Sequence, residues 1–137
     1  MCRLYDLTIK NAHLLPVVND TVDKIEGKKY YIFIDLVNRY WQVKVNENSQ
    51  DIIAFVTSWG LYQFNVMPFR LINIPATFQK LMNYVLYDYL NNFIIVYLDD
   101  ILVCLDTFEE YINYLRKVFT KLREANFIIK LKKCKFE

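Results

Sequence analysis

A chain of 137 residues is long enough for one domain with a real core and too short for two. Its 55% hydrophobic and 17% aromatic content excludes a disordered polypeptide, and Asp99 and Asp100 interrupt its longest apolar run, so no membrane span is expected. The formal net charge of +2 does not by itself announce a nucleic-acid binder.

In chain order, the start Met1-Cys-Arg-Leu-Tyr-Asp6 has no apolar core segment and does not read as a signal peptide. Residues 19–26 predict a short helix closed by Gly27. Residues 30–36 and 40–46 read as strands, and residues 52–57 and 61–66 as a hairpin around Ser58-Trp59-Gly60. Pro75 opens a helix expected to reach about Leu90, with Phe78, Leu81, Met82, Val85 and Leu86 at helical spacing. Residues 93–104 predict a second hairpin with Asp99-Asp100 at its tip. Asp106-Thr-Phe-Glu-Glu110 opens a helix to about Ala125, its acids near the positive end of the helix dipole. Residues 127–131 read as a last strand. Strand, helix, hairpin, helix, strand is an α+β order.

Cys2, Cys104 and Cys134 are odd in number and widely spaced, which indicates neither a zinc site nor a disulfide framework and points to a reduced intracellular compartment. His13 stands without nearby ligands and reads as structural. Lys130, Lys132, Lys133 and Lys135 crowd the C-terminal end. They either neutralise phosphates or form a solvated edge that discourages aggregation, and the spacing does not choose between the two.

The chemistry concentrates in three acids. Asp99 and Asp100 sit between two β-rich apolar runs, where a tight turn presents both carboxylates together. Side by side they repel and lose hydration, and a divalent cation relieves both costs, although Asp-Asp is equally a common polar turn. Asp35 lies inside another apolar run, Tyr30-Tyr-Ile-Phe-Ile-Asp-Leu36, where an unpaired acid is costly; a strand-end cap is the simpler account of that residue alone. Taken together, three acids on two buried strands fit one cluster able to hold two metal ions for phosphoryl transfer.

Tyr97-Leu-Asp-Asp100 resembles the Y-x-D-D box of reverse transcriptases. Phe33-Ile-Asp-Leu-Val-Asn-Arg-Tyr-Trp-Gln42 is similar to that family's first catalytic strand, and Phe64-Asn-Val-Met-Pro-Phe-Arg-Leu-Ile-Asn-Ile-Pro-Ala-Thr-Phe-Gln79 to its M-P-F-G-L-x-N-A-P-A-T-F-Q segment. Lys132-Lys-Cys-Lys-Phe136 is similar to its K-K-C-x-F ending. Order and spacing agree from about Leu4 to Phe136, and the wording is nearest to Pol polyproteins of gypsy-type long-terminal-repeat retrotransposons.

The resemblance implies a polymerase palm, ferredoxin-like βαββαβ, with partial fingers: about 1–29 and 43–75 on the fingers side, 30–42 and 76–137 in the palm. It implies an RNA-directed DNA polymerase that adds deoxynucleotides to a primer 3′-hydroxyl. Asp35, Asp99 and Asp100 match the three catalytic, metal-binding acids, with the Leu36 carbonyl as a further ligand to two Mg²⁺ ions, Mn²⁺ being a possible substitute. Tyr40 falls where the family carries the aromatic that blocks a ribose 2′-hydroxyl, Phe69 where it contacts nucleotide and template, and Lys133 near the triphosphate. Tyr97 and Leu98 would shape the primer end. The implied partners are an RNA or DNA template with primer, deoxynucleoside triphosphates, and the thumb and RNase H parts of a Pol polyprotein. The implied location is the cytoplasm, a virus-like particle or the nucleus.

The chain departs from the pattern at Arg39 and Arg70, where the family has glycine, at Ile72 and Ile74, which replace smaller residues, and at Cys2, which stands where a triphosphate-binding Arg is expected. An arginine beside Tyr40 and Phe69 is expected to fill the nucleotide pocket or stiffen the turn. With upstream fingers and thumb outside it, the chain reads as a palm-centred fragment, inactive in isolation. The alternatives are a decayed, catalytically inactive retroelement remnant and a domesticated partner protein that keeps the palm for assembly.

Overall fold

The structure is a computed structural model and describes residues 8–9, 23, 25–69, 71–90 and 92–136. Its centre is a four-stranded antiparallel sheet in the order β4-β5-β1-β6, formed by β1 (Tyr30–Asp35), β4 (Ile94–Tyr97), β5 (Asp100–Leu105) and β6 (Lys135–Phe136). A separate two-stranded ribbon pairs β2 (Phe55–Thr57) with β3 (Gly60–Tyr62).

Strand alternation divides the central sheet into two chemically different faces. Ile32 pairs with Val103 and Val103 with Ile94; Ile34 pairs with Ile101 and Ile101 with Val96. All six are buried, and helices α1 (Ile74–Val85) and α2 (Phe108–Glu124) cover them with Phe78, Met82, Val118 and Leu122. The opposite parity places Asp35 across from Asp100, and Asp100 across from Tyr97, at one end of the other face. The apolar rows thus fix the register, and a one-residue slip would turn the isoleucines away from the helices and Asp35 and Asp100 towards them.

The helix ends follow their sequences. Thr107 Oγ1 accepts the Glu110 N–H at 3.3 Å, with Glu109 and Glu110 in the first turn of α2. That helix closes through Asn126, left-handed at φ 61°, as Phe127 N–H reaches Leu122 O at 2.8 Å and Asn126 N–H reaches Arg123 O at 2.9 Å. Pro75 lies in the first turn of α1, where a missing N–H costs nothing.

Four expectations need correction. Residues 40–46 do not form a strand. Asn38 and Arg39 are left-handed, at φ 52° and 41°, and turn the chain into a 3₁₀ turn over Arg39–Gln42; only Lys44 keeps an isolated bridge, to Val66. Residues 127–131 are not a strand either. Ile128 is engaged by the Gln42 side chain, which accepts its N–H at 2.7 Å and donates to its carbonyl at 3.1 Å. The last strand is instead β6, after a 3₁₀ turn over Leu131–Lys133. Helix α1 ends at Val85, and a 3₁₀ turn over Tyr87–Tyr89 takes its place. The β2–β3 hairpin is shorter than expected, since Asp51–Ile53 is a 3₁₀ turn. Most of the expected helix over 19–26, with Cys2, His13 and Arg70, lies outside the described residues; Asp23 and Ile25 are helical, and Gly27 follows at φ 83°. Among the described residues, no helix is long and apolar enough to cross a membrane.

Candidate active site

The site stands at the end of the sheet where β1 runs out and the β4–β5 turn begins. Asp35 and Asp100 are register partners on adjacent strands, which ordinarily sets Cβ atoms about 5 Å apart. Asp99 lies in the two-residue turn Leu98-Asp99, and Leu98 is left-handed at φ 55°. Asp35 and Asp99 are buried, at 7% and 8% exposure, and Asp100 is half-buried. Burial raises the Asp100 carboxyl above its usual value; the Asp99 charge adds to this, the Arg39 guanidinium opposes it, and Asp35 adds a smaller push.

Arg39 is the unexpected member. Its guanidinium lies 4.0 Å from Asp35 Oδ2 and makes a close ion contact with Asp99 Oδ2. That contact lacks hydrogen-bond geometry, so the buried Asp99 Oδ2 accepts no hydrogen bond from any described group. Lys133 brings a second cation, its Nζ 3.8 Å from Asp35 Oδ2. The three acids share one end of the sheet, but they do not stand as a ready cage: among the described residues no three acid, histidine or cysteine side chains are grouped to hold a metal ion. Arg39 therefore points at the carboxylates.

Tyr40, next to Arg39, is half-buried. Its ring meets Phe69 edge-on at 5.5 Å and Phe78 at 5.1 Å between centroids. Burial raises its phenol pKa, the Asp99 charge adds to this, and Arg39 opposes it. Phe69 is 44% exposed and also touches Trp41 at 5.2 Å. Tyr97 is 42% exposed beside Asp100. Leu36, buried, is bridged to Ile129, with Asp35 O accepting Lys130 N–H at 2.8 Å and Val37 N–H reaching Ile128 O at 2.9 Å.

Gln79 is the positioning residue that the sequence reading missed. It is fully buried on α1. Its Nε2 donates to Val96 O at 3.0 Å and to Asn83 Oδ1 at 2.9 Å, and its Oε1 accepts the Leu98 N–H at 2.5 Å. One side chain thus ties the helix to both sides of Tyr97 and holds the acidic turn. The signal was a lone polar residue on the apolar stripe that continues through Met82 and Leu86.

The chain belongs to the reverse transcriptase (RNA-dependent DNA polymerase) family, whose model matches residues 3–137. Among its relatives are retrotransposon polyproteins. It is 38% identical over 134 residues to the Retrovirus-related Pol polyprotein from transposon 297 of Drosophila melanogaster, covering 98% of this chain and 13% of that protein. It is 41% identical over 118 residues to an RNA-directed DNA polymerase homolog of Oenothera berteroana, covering 84% of this chain and 83% of that one. The fold is similar to the foamy viral protease-reverse transcriptase solved in complex with an RNA/DNA hybrid, with TM-score 0.84, 28% identity, and 96% of this chain against 18% of that one. The chain thus spans most of the Oenothera protein and about an eighth of the transposon polyprotein.

Proposed function

We propose that this chain forms the catalytic centre of an RNA-directed DNA polymerase that extends a primer on an RNA or DNA template. The observation that carries the reading is the Asp35–Asp100 cross-strand pair with Asp99 in the adjoining turn. In this reading the sheet and its two helices are the palm, and the β2–β3 ribbon belongs to the fingers side. The primer 3′-oxygen attacks the α-phosphorus of a deoxynucleoside triphosphate, its proton leaves, and pyrophosphate departs.

The donor set fits a hard divalent cation, being oxygen-only, with a buried Asp99 Oδ2 that accepts no hydrogen bond. Asp35, Asp99, Asp100 and the Leu36 carbonyl would hold Mg²⁺ or Mn²⁺, which when bound acidifies the 3′-hydroxyl and stabilises charge on the phosphates. The chain's other residues position the reactants. Tyr40, backed by Phe69 and Phe78, forms an aromatic wall against a 2′-hydroxyl. Lys133 offers a cation to the triphosphate, and Tyr97 with Leu98 supports the primer end. The rest of a Pol polyprotein supplies the remaining duplex contacts, and the work is done inside the cell.

The test is primer extension by the chain set in the matching segment of a longer relative, with a primed RNA template, four deoxynucleotides and Mn²⁺ or Mg²⁺. Metal-dependent extension is expected, lost in Asp99→Asn while primer–template binding is kept. Extension that survives Asp99→Asn, or binding without extension in either metal, overturns the reading.

A further inference from the structure

We infer that Arg39 is a tethered counter-cation that competes with divalent metal for the acid cluster, so that a metal ion binds fully only when the guanidinium withdraws. The inference rests on the metal reading above and concerns which cation the carboxylates meet first.

Three observations carry it. Arg39 is four residues beyond Asp35, and its guanidinium spans from Asp35 Oδ2 to Asp99 Oδ2, so one planar cation faces two of the three acids. The oxygen it approaches on Asp99 is buried and accepts no hydrogen bond, so the guanidinium meets it through charge and not through a fixed hydrogen bond. The guanidinium reaches this place from a backbone that L side chains rarely adopt, φ 41° at Arg39 directly after φ 52° at Asn38.

The physics of the cluster explains why such a contact forms. Three carboxylates at one strand end, two of them buried, repel one another and are poorly hydrated. This repulsion is relieved by a cation close to the carboxylates. Arg39 supplies it from within the chain, and Lys133 adds a more exposed one at 3.8 Å from the same Asp35 oxygen. A divalent ion at Asp35 and Asp99 would occupy the space now taken by the guanidinium, and two cations there repel. Arg39 is 41% exposed at its side chain, so solvent offers it a route out.

The experiment titrates Mn²⁺ alone into the metal-free chain, read by the electron paramagnetic resonance signal of free Mn²⁺ and by the shift of the melting temperature, with no activity needed. Arg39→Gln deletes the charge at nearly the same length and keeps the left-handed residue; Arg39→Gly deletes the charge and relieves the backbone. Circular dichroism confirms that each is folded, and either one suffices. The expected result is Mn²⁺ binding about tenfold tighter or more than in the parent chain. A larger Mn²⁺-induced rise in melting temperature should accompany it, and both gains should be lost when Asp99→Asn is added. Lys133→Gln should change affinity no more than about twofold, because an exposed ion pair is screened. Equal Mn²⁺ affinity in the parent and both Arg39 variants overturns the inference and leaves the metal reading standing. An equal gain in Lys133→Gln also overturns it, assigning the effect to net charge. No Mn²⁺ binding in any variant overturns the inference and the metal reading together.

Discussion

Gln79 is a neutral amide where helix α1 otherwise buries apolar side chains, and every one of its polar atoms has a partner. Removing it leaves the Leu98 N–H and the Val96 carbonyl facing an apolar interior. Gln79→Leu should therefore lower stability by about 1–3 kcal/mol in urea unfolding, and nuclear magnetic resonance should show the Leu98 amide moving more than any amide of α2. Cys104 makes a different prediction. Burial pushes its thiol from 9.0 up to about 11, with Lys28 opposing. A raised thiol pKa favours the neutral form in the fold, so the associated stability is full below pH 9, the unfolded value, and is lost as pH rises towards 11. That loss amounts to roughly 2–3 kcal/mol. Near pH 8, iodoacetamide should leave Cys104 unlabelled in the native protein and label it in denaturant, as peptide mass spectrometry would show.

Helix α2 stands on a single side-chain cap. Thr107→Ala removes the acceptor for Glu110 N–H and should cost about 1 kcal/mol in thermal or urea unfolding. The start of α2 was legible from the acids of Asp106-Thr-Phe-Glu-Glu110, without its Thr107 cap, and α1, β1, β4 and β5 were legible because their apolar periods match the faces they bury. The stretch 40–46 misled because Tyr40, Gln42 and Lys44 alternate like a strand, while the left-handed pair Asn38-Arg39 has no glycine to announce it. The stretch 127–131 misled because its backbone pairing stops at a single bridge, Ile129 with Leu36, and the Ile128 N–H goes to the Gln42 side chain instead of extending a ladder. At the site, the acids were legible because isolated carboxylates in apolar runs require an explanation. The Arg39 contacts were not, because they depend on the direction a strained turn gives the guanidinium, which spacing does not encode.

At the scale of the molecule, the β2–β3 ribbon and its flank carry Ile52, Val56, Trp59 and Leu61 at 64%, 79%, 87% and 71% exposure. An apolar surface of this kind is expected to drive self-association of the chain on its own. The double substitution Trp59→Lys, Leu61→Lys should lower the weight-average mass in sedimentation velocity without altering the central sheet's circular dichroism. The Gln42–Ile128 contact has a consequence of its own for the whole. It sits where the segment carrying Lys133 meets the segment carrying Asp35, between the two-residue β1–β6 pairing and the backbone bonds at Val37 and Lys130, and adds a carboxamide clamp to that short ladder. Such a seam opens locally at a fraction of the global unfolding free energy. In hydrogen exchange, amides from Phe127 to Phe136 should take up deuterium together and early in Gln42→Ala, while Ile101 to Leu105 stay protected. Lys133 would then come and go from the acids on the timescale of that opening, with the Gln42 side chain one of the few clasps that set how often it happens.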